Sequence, residues 1–204
     1  MKKKPIIDIQ TIIEQRRKQG LLLKDARVHI KIADAKEKLM YALVDHLGER
    51  AKWLSEYDKV ADWLTDNEGV GLILLGSPGM GKTVLIHHVI PQLLLQECNK
   101  VVSLCDALSL NRDIDHQTKV IDVMRERKLV AIDDIGTEPI AQKYGESHNY
   151  FSELVDKCER DAKLLLCSSN LSLSEIKERY GLRTYDRLRT LTKVIAFKGE
   201  SMRK

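Results

Sequence analysis

The sequence predicts an α/β fold in which a mainly parallel five-stranded sheet is flanked by helices. From residue 71 onward, short apolar runs alternate with stretches long enough to cross over as helices, a pattern typical of parallel sheets covered on both faces. The chain has 204 residues, 43% of them hydrophobic and 31% charged, which suits one globular domain with a short arm. Disordered, collagen-like and fibrous classes are excluded.

The first 50 residues are predicted to form a basic, helical arm, and residues 51–204 the main domain. Pro5 can open a helix that Gly20 can close, and residues 27–32 alternate between apolar and polar. The apolar positions of this helix are Ile6, Ile9 and Ile13. Such an arm could dock onto a partner.

Two amphipathic helices are predicted before the sheet. The first runs from Asp34 to Gly48 and has its apolar face at Leu39, Leu43, Val44 and Leu47. The apolar stripe of the second comprises Trp53, Leu54, Tyr57, Val60, Ala61 and Leu64. Trp53 and Tyr57 could approach an adenine ring, although such a stripe is more often simply core.

Five apolar runs are the predicted strands: 71–75, 101–105, 129–132, 164–168 and 194–197. In open parallel sheets, ligands bind beyond the carboxyl ends of the strands. Chemistry-bearing residues are therefore expected directly after these runs.

Charge is unevenly distributed along the chain, whose net charge is +4. Residues 1–32 hold nine Lys or Arg and three Asp or Glu, and residues 179–204 hold eight and two. Two basic ends on an acidic body suit a polyanion such as nucleic acid, or an acidic partner, although solvated charge commonly causes such patterns. The apolar runs are far shorter than the roughly 18 residues of a membrane span, and a cytoplasmic protein is expected.

An unbroken G-x-x-x-x-G-K-[ST] motif follows the first predicted strand, and a helical run follows the motif. Its glycines let successive backbone N–H groups converge on a polyphosphate at the helix N-terminus. Lys82 can then reach the β and γ phosphates, and the Thr83 hydroxyl can ligate Mg²⁺. The predicted nucleotide-binding residues are Gly76, Ser77, Pro78, Gly79, Met80, Gly81, Lys82 and Thr83.

Polar residues also follow the third and fourth predicted strands. Asp133 is a candidate magnesium ligand and Asp134 a candidate for polarising the attacking water, unless the pair is a solvent-facing acidic turn. Asn170 could sense a γ-phosphate, or could simply cap the helix that follows. His87 and His88 are adjacent on a helix, so both cannot face one metal, and at least one of them is expected to have a packing or surface role.

Four segments together resemble the DnaC/IstB branch of AAA+ ATPases, which comprises helicase loaders and transposition helper ATPases. They are the phosphate loop, LVAIDDIGTEP (129–139), SSNLSLSEIKERYGLRTYDRLR (168–189) and the closing FKGESMR (197–203). The resemblance spans roughly residues 55–204. It implies a P-loop NTPase of AAA+ type that uses ATP and Mg²⁺.

The resemblance also implies roles for single residues. Asn170 matches the sensor 1 asparagine, Arg187 the arginine finger that acts in trans in a neighbouring subunit, and Arg203 the sensor 2 arginine. The alternative for each arginine is an ordinary surface charge. Asp134 departs from the glutamate that many AAA+ members have at this position, which suggests slow hydrolysis or a nucleotide-gated switch.

The implied function is that of a helicase loader, which self-associates and binds single-stranded DNA and a replicative helicase. An IstB-like transposition helper with a transposase partner, a nucleotide-gated adaptor with little turnover, and a small-molecule kinase remain alternatives. The aromatic segment 144–151 could stack on DNA bases, although Tyr150 and Phe151 also suit core packing.

Overall fold

The computed structural model describes residues 8–20, 27–110, 117–139, 141–143 and 146–198. The helices are α1 Ile9–Lys18, α2 Ala35–Leu47, α3 Ser55–Thr65, α4 Lys82–Val84, α5 Ile90–Cys98, α6 Gln117–Glu126, α7 Tyr150–Arg160 and α8 Leu173–Leu191. The strands are β1 Gly71–Gly76, β2 Ser103–Asp106, β3 Leu129–Ile135, β4 Ala141–Lys143, β5 Glu146–His148, β6 Leu164–Ser169 and β7 Thr192–Phe197. A π turn, Leu85–Val89, connects α4 to α5.

Five strands form one sheet in the order β2-β3-β6-β1-β7, and all four neighbouring pairs are parallel. The predicted sheet is confirmed, with ends that shift by a few residues. Strand β6 separates β1 from β3, so the strands that follow β1 in sequence lie on both sides of it. The carboxyl ends of β1, β6 and β3 consequently border the crevice in which ligands bind in such sheets.

Both faces of the sheet are buried, because helices cover each of them. Leu72 and Leu74 of β1 join the cluster that contains α2, α3 and α5, whereas Ile73 joins the cluster that contains α7 and α8. Successive strand residues point to opposite faces. A parallel sheet covered in this way requires continuous apolar strands, which is why the sequence reads as short unbroken apolar runs.

The alternating segment 27–32 forms no strand, yet Ile30 and Ile32 are buried in the core. The Asn67 side chain holds this segment: its Oδ1 accepts from Ile30 N at 2.8 Å and its Nδ2 donates to Val28 O at 3.0 Å. The side-chain amide replaces a neighbouring strand. The boundary after residue 50 remains a prediction, and residues before it already contribute to the core.

The predicted N-terminal helix is present as α1, which Asp8 caps by accepting from Gln10 N at 3.1 Å. None of its residues is buried, and Ile9 is 65% exposed. The second predicted amphipathic helix is present as α3, but Trp53 lies before its first residue, Ser55. The predicted apolar stripe did not include Trp63, which is fully buried. Among the described residues, no helix is both long and apolar enough to span a membrane.

Helix α8 is broken at Gly181, where φ is 80° and ψ is 165°. Before the break it packs on α7, with the rings of Phe151 and Tyr180 5.0 Å apart. Phe151 is fully buried, so core packing is the correct alternative for this aromatic residue. Tyr144 lies outside the described residues.

Candidate nucleotide-binding site

The loop between β1 and α4 has the backbone of a phosphate cradle. Gly79 and Gly81 have φ of 84° and 80°, a left-handed conformation that side chains disfavour. Gly81 is the residue before the first turn of α4. The loop and the start of α4 line the cavity described below, and backbone N–H groups at such a helix start attract anions.

Lys82 is the central cation of the site. Its residue is 5% exposed, and its Nζ donates to Gly76 O at 2.6 Å, to Ser77 O at 2.9 Å and to Asn170 Oδ1 at 2.9 Å. The predicted sensor asparagine, directly after β6, thus contacts the predicted phosphate-binding lysine. The two motifs lie far apart in sequence but meet because β1 and β6 are neighbours.

The two acids at the end of β3 occupy different environments. Asp133 is buried, and Ser168 Oγ donates to its Oδ1. Asp134 has a left-handed backbone with φ of 57°, at a register shift between β3 and β6. Asn170 Nδ2 donates to Asp134 Oδ1 at 2.7 Å, so one asparagine joins the lysine to this carboxylate.

A cavity of ≈ 340 Å³ opens above Lys82, Asp134 and Asn170, a size within the usual range of about 300 to 1,000 Å³ for ligand sites. Asp133 does not line it but contacts Ser168, which does. Thr83 is exposed in the cavity. The wall towards the sheet includes Asp134, Ser168 and Asn170. The opposite wall includes Leu47, Arg50, Lys52 and Tyr57. Tyr57 is 1% exposed, and its ring meets the Trp53 ring edge-on with centroids 5.7 Å apart. The Tyr57 ring therefore belongs to the core and also borders the cavity.

Arg187, the predicted finger, is not part of this cluster. Arg187 lies on α8, forms an ion pair with Asp156 and places its Nε 2.6 Å from Glu159 Oε2. Its guanidinium is thus held in cis by two carboxylates of α7, and it does not line the cavity. Arg203 lies outside the described residues.

Two residues that sequence reasoning did not assign to the site contact Asp133. Ser168 Oγ donates to Asp133 and accepts from Asp134 N at 2.9 Å, and His87 Nε2 lies 3.3 Å from Asp133 Oδ2. The only sequence signal was the serine two residues before Asn170. The histidine had none, because its position depends on the π turn.

Glu138, in the loop after β3, forms hydrogen bonds with two residues of α8. Glu138 is 3% exposed and accepts from Tyr180 OH and from Gly136 N at 2.8 Å. Burial raises the pKa of Tyr180 well above its usual range, and the neighbouring Glu138 raises it further. Arg179 donates to the Glu138 carbonyl. The part of α8 before the break at Gly181 is therefore fixed to the loop that follows the two acids.

His88, next to the site residue His87, makes the stability of the fold depend on pH. Desolvation, and then the charges of His46 and His87, lower the pKa of His88 below its usual 6.5. Because the unfolded chain then binds this proton more tightly, stability is lost as pH falls through 6.5 towards the folded-state pKa. We expect the Tm to fall between about pH 7.5 and about pH 5.5, and to fall less in His88→Gln. Equal slopes in calorimetric scans would contradict this.

The sheet order, the glycine loop and the lysine at its end are those of a P-loop NTPase fold. It belongs to the novel STAND NTPase 3 family, whose model matches residues 54–203. Comparison with curated proteins gives no match.

Three of the solved structures with a similar fold are a helicase loader, DnaI and DnaA. The DnaC helicase loader has a TM-score of 0.61 at 16% identity, covering 79% of this chain and 99% of its own. DnaI has a TM-score of 0.59 at 18% identity, and the match covers 79% of this chain and 94% of DnaI. AMPPCP-bound DnaA from Aquifex aeolicus has a TM-score of 0.55 at 12% identity, and the match covers 75% of this chain and 50% of the DnaA chain. The predicted DnaC-like AAA+ fold is confirmed.

Proposed function

We propose that the protein is an ATP-binding AAA+ ATPase of the helicase-loader type, which self-associates and binds single-stranded DNA and a replicative helicase. The observation that carries the proposal is the contact chain from Lys82 through Asn170 to Asp134. It joins the phosphate loop to the tip of β3 across β6. The similarity of the fold to the DnaC helicase loader supports the choice of class.

Thr83 and Asp133 are proposed to hold Mg²⁺. The donor set fits, because hydroxyl and carboxylate oxygens are the hard ligands that this ion prefers, and Thr83 is exposed in the cavity. When bound there, the ion would supply positive charge against the β and γ phosphates. Lys82 and the loop amides orient the same phosphates.

Asp134 is proposed to orient the attacking water and to accept its proton. Asn170 holds this carboxylate and contacts Lys82, so it is placed to respond when a γ-phosphate binds the lysine. Asp134 is one methylene shorter than glutamate, which favours slow turnover. A nucleotide-gated adaptor with little hydrolysis is therefore the second candidate function.

Arg187 is proposed to act as the finger in the site of a neighbouring subunit. Its ion pairs with Asp156 and Glu159 must then be exchanged for phosphoryl oxygens, which a planar guanidinium matches. We expect Arg187→Ala to lower ATP turnover by about 100-fold or more while ATP binding remains. Steady-state hydrolysis and binding of a fluorescent ATP analogue measure the two effects.

Arg183→Ala is the matched control for this substitution. Arg183 pairs with Asp156 at 2.8 Å, but its side chain is 73% exposed. If both variants hydrolyse ATP at the same rate and melt at the same temperature, the finger assignment is wrong. A lower Tm in Arg187→Ala alone would indicate that the ion pairs are structural.

DNA binding is proposed from the two basic ends of the chain and is tested by fluorescence anisotropy on labelled single-stranded and duplex DNA. We expect tighter binding to the single strand and a steep loss of affinity as salt rises, since phosphate contacts release counterions. Tighter binding to duplex would favour the transposition-helper alternative. Affinity that is independent of salt would contradict an electrostatic interaction.

A further inference from the structure

The side chain of Asp133 is only 7% exposed, and both oxygens of its carboxylate are contacted by other side chains. Ser168 Oγ donates to Oδ1, and His87 Nε2 lies 3.3 Å from Oδ2. A buried carboxylate without such partners would be costly. With them, its orientation is set by two different elements, β6 and the turn after α4.

The position of His87 depends on the π turn Leu85–Val89. Such turns are rare and often occur at functional sites, because the wider turn redirects the side chains around it. Leu85, Ile86, Val89 and Ile90 are fully buried. These apolar contacts fix the turn, so the half-buried His87 ring is held against the tip of β3.

Ser168 joins the two acids through one hydroxyl group. It is 2% exposed, donates to Asp133 and accepts from Asp134 N at 2.9 Å. This second bond supports the left-handed backbone of Asp134. The serine therefore couples the orientation of one carboxylate to the backbone of the other.

We propose that His87 and Ser168 are positioning residues that hold the Asp133 carboxylate in the orientation from which it binds magnesium. The inference rests on the proposed function, which assigns the ion to Asp133 and Thr83. Neither residue is assigned a contact with nucleotide or with the reacting water; both act through Asp133. Groups that orient a ligand carboxylate typically change metal affinity by about 10- to 100-fold when removed.

The test is the magnesium dependence of ADP binding by the full chain. The Kd of a fluorescent ADP analogue is measured with Mg²⁺ and with EDTA, and the ratio gives the tightening due to the ion. We expect His87→Ala and Ser168→Ala each to reduce this tightening about 10-fold, with the Kd in EDTA unchanged. His87→Gln is expected to restore much of it, because its side-chain amide can donate to the same oxygen.

The chain offers a matched control beside each residue. His88 stacks on His46 with ring centroids 4.1 Å apart, and Ser169 Oγ donates to Ile135 O at 2.6 Å. We expect His88→Ala and Ser169→Ala to keep the wild-type ratio. Thermal melting of all variants separates a loss of fold from a loss of positioning.

The outcomes separate this inference from the proposed function. If Asp133→Asn loses the magnesium effect while His87→Ala and Ser168→Ala keep it, the positioning roles are wrong and the magnesium assignment stands. If Asp133→Asn keeps the effect, the magnesium assignment itself fails. If His88→Ala and Ser169→Ala lose as much as their neighbours, the effect is general packing and the positioning roles are overturned.

Discussion

Lys82→Ala is expected to reduce ATP turnover by on the order of 100-fold or more and to weaken ATP binding. The lysine supplies the cation at the centre of the phosphate loop, and its Nζ donates to Gly76 O, Ser77 O and Asn170 Oδ1. Alanine removes the charge that is proposed to bind the β and γ phosphates and leaves these acceptors without their donor. Steady-state hydrolysis and equilibrium binding of a fluorescent ATP analogue measure the loss.

Lys193→Ala is the control for a loss of positive charge. Lys193 is exposed on β7 and does not line the cavity, so turnover should remain near that of the wild type. Wild-type turnover in Lys82→Ala would mean that the nucleotide binds elsewhere. Equal losses in both variants would point to net charge instead of the phosphate loop.

Gly71→Ala is expected to have the largest effect on stability. A Cβ at this position would lie 1.9 Å from the backbone oxygen of Leu165 and 2.8 Å from its carbonyl carbon. Backbone atoms of β6 cannot rotate away, so the two central strands must separate. We expect a loss of about 3 kcal/mol or more, or a Tm lower by about 6 to 12 °C for a chain of this size.

Gly48→Ala separates this clash from the general cost of replacing glycine. Nothing lies within 4 Å of a Cβ at Gly48, although its φ is 59°, so only the backbone cost of about 1 kcal/mol is expected. Both variants are compared by calorimetry and by denaturant titration. Equal destabilisation would contradict the close approach of β1 and β6.

The sheet could be predicted because its strands are buried on both faces and so read as apolar runs. The ends of those runs were less accurate. Strand β3 continues through the two acids to Ile135, beyond the predicted end at residue 132, because Ile135 still pairs with Ser169 across the bulge. Charged residues end an apolar pattern even where the backbone remains a strand.

Contacts that depend on side chains from distant elements could not be read from the sequence. Residues 27–32 alternate like a strand, but their backbone bonds to the Asn67 side chain and to the backbone at Leu64 and Asn67. No local pattern in the sequence predicts these partners. For His87 and His88 the sequence predicted only that at least one has a packing or surface role. The contact of His87 with Asp133 requires both the π turn and the tip of β3.

The phosphate-loop motif predicted which residues meet at the first strand, and the order of the sheet explains why Asn170 joins them. The pairing of Arg187 with α7 carboxylates was not foreseen. The sequence motif places Arg187 on a helix. Which carboxylates that arginine pairs with inside the same chain depends on how α8 packs against α7.

Mixing two inactive variants tests the central claim most directly, because a site shared between subunits needs one residue from each. Lys82→Ala keeps Arg187, and Arg187→Ala keeps the phosphate loop. We expect each variant alone to hydrolyse ATP poorly, and their mixture to regain a substantial part of wild-type turnover with single-stranded DNA present. A mixture no more active than its components, or full activity of Arg187→Ala alone, would contradict an assembling ATPase with a finger in trans.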